Sequence, residues 1–209
     1  LEYVVITSVN RDDLADGGAA HWAATVRAVR RHAPRCRVEV LIPDFQGSAA
    51  SLETVLAAHP DVLGHNAETV PRLYTVARHG GRYERALELF RRARALAPEI
   101  ARKSGIILGL GEESQELIAT MRDLRAAGVS ILTLGQYLRP SAQHLPVAKF
   151  YHPEEFAELA AIGRELGFAH VESAPLVRSS YHAKRQMDSA LVPAAGHPRN
   201  EPASRPPLR

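Results

Sequence analysis

Cysteine is almost absent from this 209-residue chain. The single one, Cys36 in RCRVEVLIP, excludes an internal disulfide framework and any all-cysteine metal site built within these residues. It reads instead as a small buried apolar side chain. Charge of one sign is not in excess either. With 26 basic against 23 acidic side chains and a formal charge of +3, nothing asks for nucleic acid or another polyanion as a partner. No apolar run is long enough to span a bilayer, and the opening LEYVVITSV has neither a basic leader nor a cleavage pattern. The expectation is a cytoplasmic protein without a membrane partner. The opening also lacks a turn, a cap or a polar leader, so the chain reads as though it begins inside a fold.

What is present is ordinary for one globular domain: 45% hydrophobic and 23% charged residues. Short apolar runs alternate with amphipathic stretches as far as Ser173. The runs bounded by Gly, Pro, Asp or Ser predict strands at Tyr3–Thr7, Val38–Ile42, Val62–His65, Gly105–Leu108, Ile131–Leu134 and Ala169–Ser173. Apolar spacing predicts helices over Ala19–His32, Ala49–Ala58, Arg82–Leu96, Glu113–Ala127 and Pro153–Leu166. Strict alternation implies right-handed βαβ units and a parallel α/β sheet, either a barrel or an open sheet. Strands as apolar as VVIT and VEVLI expect cover on both faces. From residue 184 the period fails, and 184–209 is expected to be a disordered tail behind a domain of residues 1–183.

In such folds chemistry gathers where strands end. TSVNRDDLADGGA, IPDFQG, HNAETVPRLY, GLGEES and GQYLRPSAQHLPV follow the first five strands, and each offers polar groups to one cavity. Taken singly, most of these residues are adequately explained as turn and cap residues. His65 alone reads as a satisfied core histidine, and Lys103 could be a solvated lysine at a strand entrance. Glu68 stands out, because Asn66, Glu68, Arg72 and Tyr74 crowd one short segment. The glycines of SGIILGLGEES make a weak phosphate cradle, lacking both GxGxxG and GK[ST], yet a glycine in a buried strand permits close approach of a flat ligand.

The spacing Gly105, Ile107, Gly109, Glu112 resembles the motif on the fifth strand of radical S-adenosylmethionine enzymes. Six segments, YVVITSVNRDDLADGGA, VEVLIPDFQG, HNAETVPRLY, KSGIILGLGEE, LTLGQYLRPSAQHLPV and PLVRSSYHA, are together similar to the lipoyl synthase family from Leu1 to about Ala183. The resemblance implies a partial (β/α)6 radical-SAM barrel that lacks its first strand and its cysteine loop. It implies an enzyme that inserts sulfur at C6 and C8 of a protein-bound octanoyl-lysine. Its cofactors would be two 4Fe-4S clusters and S-adenosylmethionine, and its partners octanoylated lipoyl-carrier domains or H protein and an electron donor.

Carried over by position, the resemblance makes Ser180 and Arg178 catalytic: Ser180 the unusual ligand of the auxiliary cluster, with Ser179 as the alternative, and Arg178 helping to hold the cluster or the substrate acyl-lysine. Thr7 and Ser8 fall near the methionine end of the cofactor. Asn66, Glu68 and Arg72 face its ribose and carboxylate, and Gly105, Ile107 and Gly109 line its adenine. Lys103 and Gln136 are further cofactor-binding candidates. An oxygen ligand is a poor match to cluster iron beside soft thiolate, which suits a cluster dismantled in turnover.

The departures from the family are large. Neither cysteine trio is present and Cys36 matches no member of either. Hence the chain is expected to be a carboxyl-terminal portion that binds no cluster and is inactive alone, with Tyr3–Thr7 an aggregation-prone open edge. Asn10, Ala67 and the segment ARHGGRY, with His79 in place of proline, also depart from the family pattern. Two other readings stand: a non-catalytic remnant that binds carrier or S-adenosylmethionine, and a conventional α/β-barrel lyase or isomerase using Lys103 as a Schiff-base amine or Glu68 as a base.

Overall fold

A computed structural model describes residues 1–78 and 80–191. His79 and the expected tail beyond residue 191 lie outside the described residues. Six parallel strands form one sheet in sequential order: β1 (Tyr3–Thr7), β2 (Arg37–Leu41), β3 (Val62–Gly64), β4 (Ala101–Leu108), β5 (Ile131–Gln136) and β6 (His170–Ser173). Helices α1 (Ala19–His32), α2 (Ala49–Leu56), α3 (Tyr74–Ala77), α4 (Tyr83–Leu96), α5 (Ser114–Ala126) and α6 (Pro153–Glu165) connect them, and α7 (Ala183–Leu191) follows β6. The sequential order makes this a partial barrel, with β1 and β6 at its two edges.

The elements form where local chemistry dictates. Helix α1 buries Ala19, Trp22, Ala23 and Val26, one face at helical spacing, and ends in Arg30, Arg31 and His32 beside the negative helix pole. Asp16 opens it by accepting from the backbone N–H groups of Gly18 and Ala20 at 2.9 and 2.8 Å. Helix α5 starts with a reciprocal capping pair, Glu113 and Glu116, and α6 places Pro153 in its first turn.

Because side chains alternate across a strand, the sheet has two unlike faces. Val38 and Val40, Leu63, Ile106 and Leu108, and Leu132 and Leu134 point outward and share one core with Trp22, Leu52, Phe90, Leu117 and Phe156 of the helices. Lys103, Gly105, Glu39 and Thr133 lie on the opposite parity and line the concave face. Cover on both faces is therefore achieved asymmetrically: helices outside, and inside the chain from Pro175 onward.

Strand β4 begins at Ala101, four residues before the expected Gly105. Arg102 and Lys103 mask it in the sequence, and both are satisfied in the structure. Arg102 donates to the carbonyls of Gly128 at 2.7 Å and Ile100 at 2.6 Å, while Lys103 turns inward to an acid. The expected tail also needs correction. Residues 183–191 form α7, whose Met187 packs on Val62 and Ile131 and closes the floor of the concave face. Arg185 pairs with Glu172 at 2.9 Å and Lys184 pairs with Glu2, fixing α7 to both edges of the sheet.

Candidate active site

The floor of the concave face carries a buried ion pair. Lys103 Nζ donates to Glu39 Oε1 at 2.8 Å, with both side chains 2% exposed. Tyr3 Oη donates to the other oxygen, Oε2, at 2.6 Å. Burial pushes the Lys103 ammonium below its usual range, against the pull of Glu39. Burial, then the charge of Glu39, raises the Tyr3 phenol, which keeps it a donor. Lys103 spends a further N–H on the carbonyl of Ser179.

Above the floor stands the segment after β3. Glu68 has φ 66°, in the left-handed region that side chains avoid. Its backbone nevertheless bridges to β4: Glu68 N–H donates to Gly105 at 2.9 Å, and Ile107 N–H donates to the Glu68 carbonyl at 2.7 Å. Burial raises the Glu68 carboxyl above its usual range, with Arg78 and Asn66 opposing. His65 and Arg78 support the segment from behind. His65 Nδ1 lies 2.9 Å from the Ile42 carbonyl and must donate to it, so Nε2 accepts from Arg78 Nη2 at 3.2 Å. Arg78 also donates to the Asn66 carbonyl. The histidine is a satisfied core residue, as the sequence suggests.

The chain from Pro175 closes the top. A β-carbon on Gly135 would lie 2.3 Å from the Val177 carbonyl oxygen, so only glycine lets this strap lie flat on β5. Gly105 is similarly crowded, by Thr133 Oγ1 at 2.8 Å and Asn66 Oδ1 at 2.9 Å from such a carbon. Ser179 is anchored: Asn66 Nδ2 donates to its Oγ at 3.0 Å, and Oγ donates to Asn66 Oδ1 at 3.1 Å. Ser180 is exposed on the same turn. Arg178 Nη1 folds back to the Val177 carbonyl at 2.7 Å. Asn66, Glu68, Gly105, Ile107, Arg178 and Ser179 thus surround one hollow of about 70 Å³. Ordinary ligand pockets run to roughly 300–1,000 Å³, so a nucleoside does not fit this hollow unless the strap shifts.

Other expected residues are placed elsewhere. Thr7 and Ser8 line a separate 270 Å³ hollow beside Trp22, and Ser8 Oγ donates to Val9 at 2.9 Å. Arg72 is held by Glu116, with Nε and Nη2 at 2.7 and 2.8 Å from its carboxylate, and by the Gly111 carbonyl at 2.8 Å. In this structure Arg72, expected to face a cofactor, is engaged by the acid that caps α5 and does not line the hollow. Gly109, at φ 105°, backs onto Gln136 Nε2 and the Lys149 carbonyl. Gln136 exhausts its amide as a clamp on the following loop, donating to Leu108 and Lys149 at 3.0 Å and accepting from Tyr151 N–H at 3.0 Å. Neither Gly109 nor Gln136 lines the hollow. Lys103 is committed to Glu39 and Ser179, which removes support for a free Schiff-base amine.

Glu39, Tyr3, Thr133 and Arg78 are the residues that sequence reasoning missed. A glutamate in the middle of the run VEVLI is the one signal that could have flagged a buried partner. No group of three His, Cys, Asp or Glu side chains suited to a metal exists among the described residues. Cys36 is buried, with Sγ 3.5 Å from the Arg37 carbonyl. The donor set of these residues does not fit an iron–sulfur cluster, which is held by several thiolates.

A parallel half-barrel with its polar residues on the concave face and at the strand ends defines a class of α/β enzyme scaffold. Residues 1–124 match the Radical SAM superfamily, and the chain belongs to that superfamily. The particular relatives it resembles are lipoyl synthases. It is 56% identical to that of Rubrobacter xylanophilus over 94% of this chain and 61% of the relative. It is 53% identical to that of Koribacter versatilis over 92% and 64%, respectively, and 57% identical to that of Methylococcus capsulatus over 89% and 58%. The chain therefore spans about three-fifths of the length of these curated relatives. Among solved structures, methylornithine synthase aligns with TM-score 0.59 at 14% identity, covering 86% of this chain and 59% of that one, a likeness of fold alone.

Proposed function

We propose that this chain is part of a lipoyl synthase, a sulfurtransferase that inserts sulfur at C6 and C8 of an octanoyl-lysine on a lipoyl-carrier domain or H protein. An electron donor and S-adenosylmethionine would be co-reactants. The observation that carries this reading is convergence. Asn66 and Glu68 after β3, Gly105 and Ile107 on β4, and Arg178 and Ser179 of the strap meet on the concave face of the partial barrel, with Ser180 next in the chain. Those are the segments that the lipoyl synthase resemblance singles out.

In this reading the strap shifts to open the hollow, the amide of Asn66 and the carboxyl of Glu68 supply polar contacts to a ribose or amino-acid end, and the Cβ-free edge at Gly105, filled in this structure by Thr133 and Asn66, accepts a flat ring once those side chains withdraw. Ser180, exposed on its anchored turn, is the group offered to an auxiliary cluster. Since the residues here cannot hold either cluster by themselves, the thiolates would come from parts of the relatives' length that this chain does not span.

The test is to express the complete reading frame, reconstitute it anaerobically with iron and sulfide, and assay it with octanoylated H protein. Formation of 5′-deoxyadenosine together with lipoyl product supports the proposal. Formation of 5′-deoxyadenosine alone would place the protein with another radical SAM activity. Neither product from cluster-loaded protein would favour a non-catalytic remnant. Ser180→Ala should abolish lipoyl product while 5′-deoxyadenosine still forms.

A further inference from the structure

The two adjacent serines differ sharply in environment. Ser179 is half-buried and has its hydroxyl and its carbonyl engaged: Oγ with Asn66, and the carbonyl with the ammonium of Lys103. Ser180 is exposed, and only its carbonyl is engaged among the described residues, accepting from Ala183 N–H at 3.4 Å where α7 begins. The turn between them is closed by Tyr181 N–H donating to the Arg178 carbonyl at 2.9 Å.

Lys103 is the link between this turn and the barrel floor. Its ammonium sits between Glu39, 64 residues earlier, and Ser179, 76 residues later. An ion pair sealed in an apolar core is at best weakly stabilising and is often replaceable by well-packed apolar residues without loss. The pair here has a second connection that such a replacement would lack, because one N–H of the cation leaves the pair and ends on the backbone of the turn.

We propose that Lys103, oriented by Glu39 and Tyr3, is a positioning residue that pins Ser179 from beneath, with Asn66 pinning it from the side. Ser179 is the anchor and Ser180 the presented hydroxyl. The consequence for Ser180 rests on the function proposed above. The pinning itself does not, and it is read directly from the turn.

The experiment measures amide hydrogen exchange of Tyr181 in the 209-residue chain, with the amides of β5 as an internal control and urea unfolding as a measure of global stability. A hydrogen bond from a charged donor is worth enough to slow local opening about tenfold to a hundredfold. In Lys103→Met, Tyr181 exchange should accelerate by at least about tenfold, and global stability should fall, because Glu39 is left buried without its cation. In Glu39→Gln/Lys103→Met the stranded charge is gone, so global stability should return towards that of the unsubstituted chain while Tyr181 exchange stays fast. A purely structural ion pair predicts the opposite: both properties recover together in the double variant, and that result would overturn the proposal. Ser179→Ala and Ser180→Ala supply an independent comparison outside the core. The first should speed Tyr181 exchange and the second should leave it unchanged; equal effects would sink the division of labour. Failure of these tests leaves the sulfur-insertion reading standing, and failure of the activity assay leaves the pinning standing.

Discussion

Acid should loosen this protein through one histidine. His65 is 1% exposed at the carboxyl end of β3, where burial, and next the neighbouring Arg78 guanidinium, push its imidazole from 6.5 down to about 4. The bond to the Ile42 carbonyl and the more distant Asp44 oppose this without reversing it. In the unfolded chain the ring titrates near 6.5. Between those two pH values the unfolded state binds more protons than the folded one, so stability falls as the pH is lowered through that window and levels off below about 4. At about 1.4 kcal/mol per pH unit, the whole window is worth on the order of 3 kcal/mol, of which about 2 kcal/mol is already lost at pH 5. Protonation would turn Nε2 into a donor facing a donor, release Arg78, and with it the carbonyl of Asn66. The assay is urea unfolding at pH 7 and pH 5 for the parent chain and His65→Gln, whose amide can bond Ile42 and Arg78 but does not titrate. The parent should lose about 2 kcal/mol more than the variant over this interval. Parallel losses in the two proteins would refute the argument that the buried imidazole is held neutral.

Two further substitutions examine the concave face. Gly135→Ala puts a methyl group where the Val177 carbonyl lies, so it should cost about 1–3 kcal/mol in urea unfolding and detach the strap, read as faster tryptic cleavage after the exposed Arg178. Unchanged cleavage would mean that the strap does not depend on that close approach. Met187→Ala removes a side chain that is 2% exposed against Val62 and Ile131, and it should destabilise α7 by about 2–5 kcal/mol, read as exchange of the α7 amides. A silent variant would restore the view of these residues as unstructured tail.

Much of the architecture follows from local pattern. Burial on one face is a periodic property that any reader of the chain can see, and helix α1 and strand β1 fall on their expected residues because spacing and turn residues agree there. Strand β4 was only half legible, since a lysine and an arginine argue against a strand until their partners are known. Helix α7 was hidden for a related reason. Its buried positions, Ala183, Gln186 and Met187, with Ala190 packed beside them, do fall at helical spacing, but two alanines and a glutamine make a weak apolar signal, and the placement of the helix depends on Glu172 and on the barrel floor.

The sequence by itself determined the alternating α/β order, the polar strand ends and the family likeness, because each of these is written in short-range spacing. Only the tertiary structure decided which polar residues meet. Asn66 reaches Ser179 across 113 residues and Lys103 reaches Glu39 across 64, while Arg72 and Gln136, equally plausible on the page, are taken by Glu116 and by the loop after β5. A side chain's direction and its competition among partners are set by the packed sheet, and no local pattern encodes them.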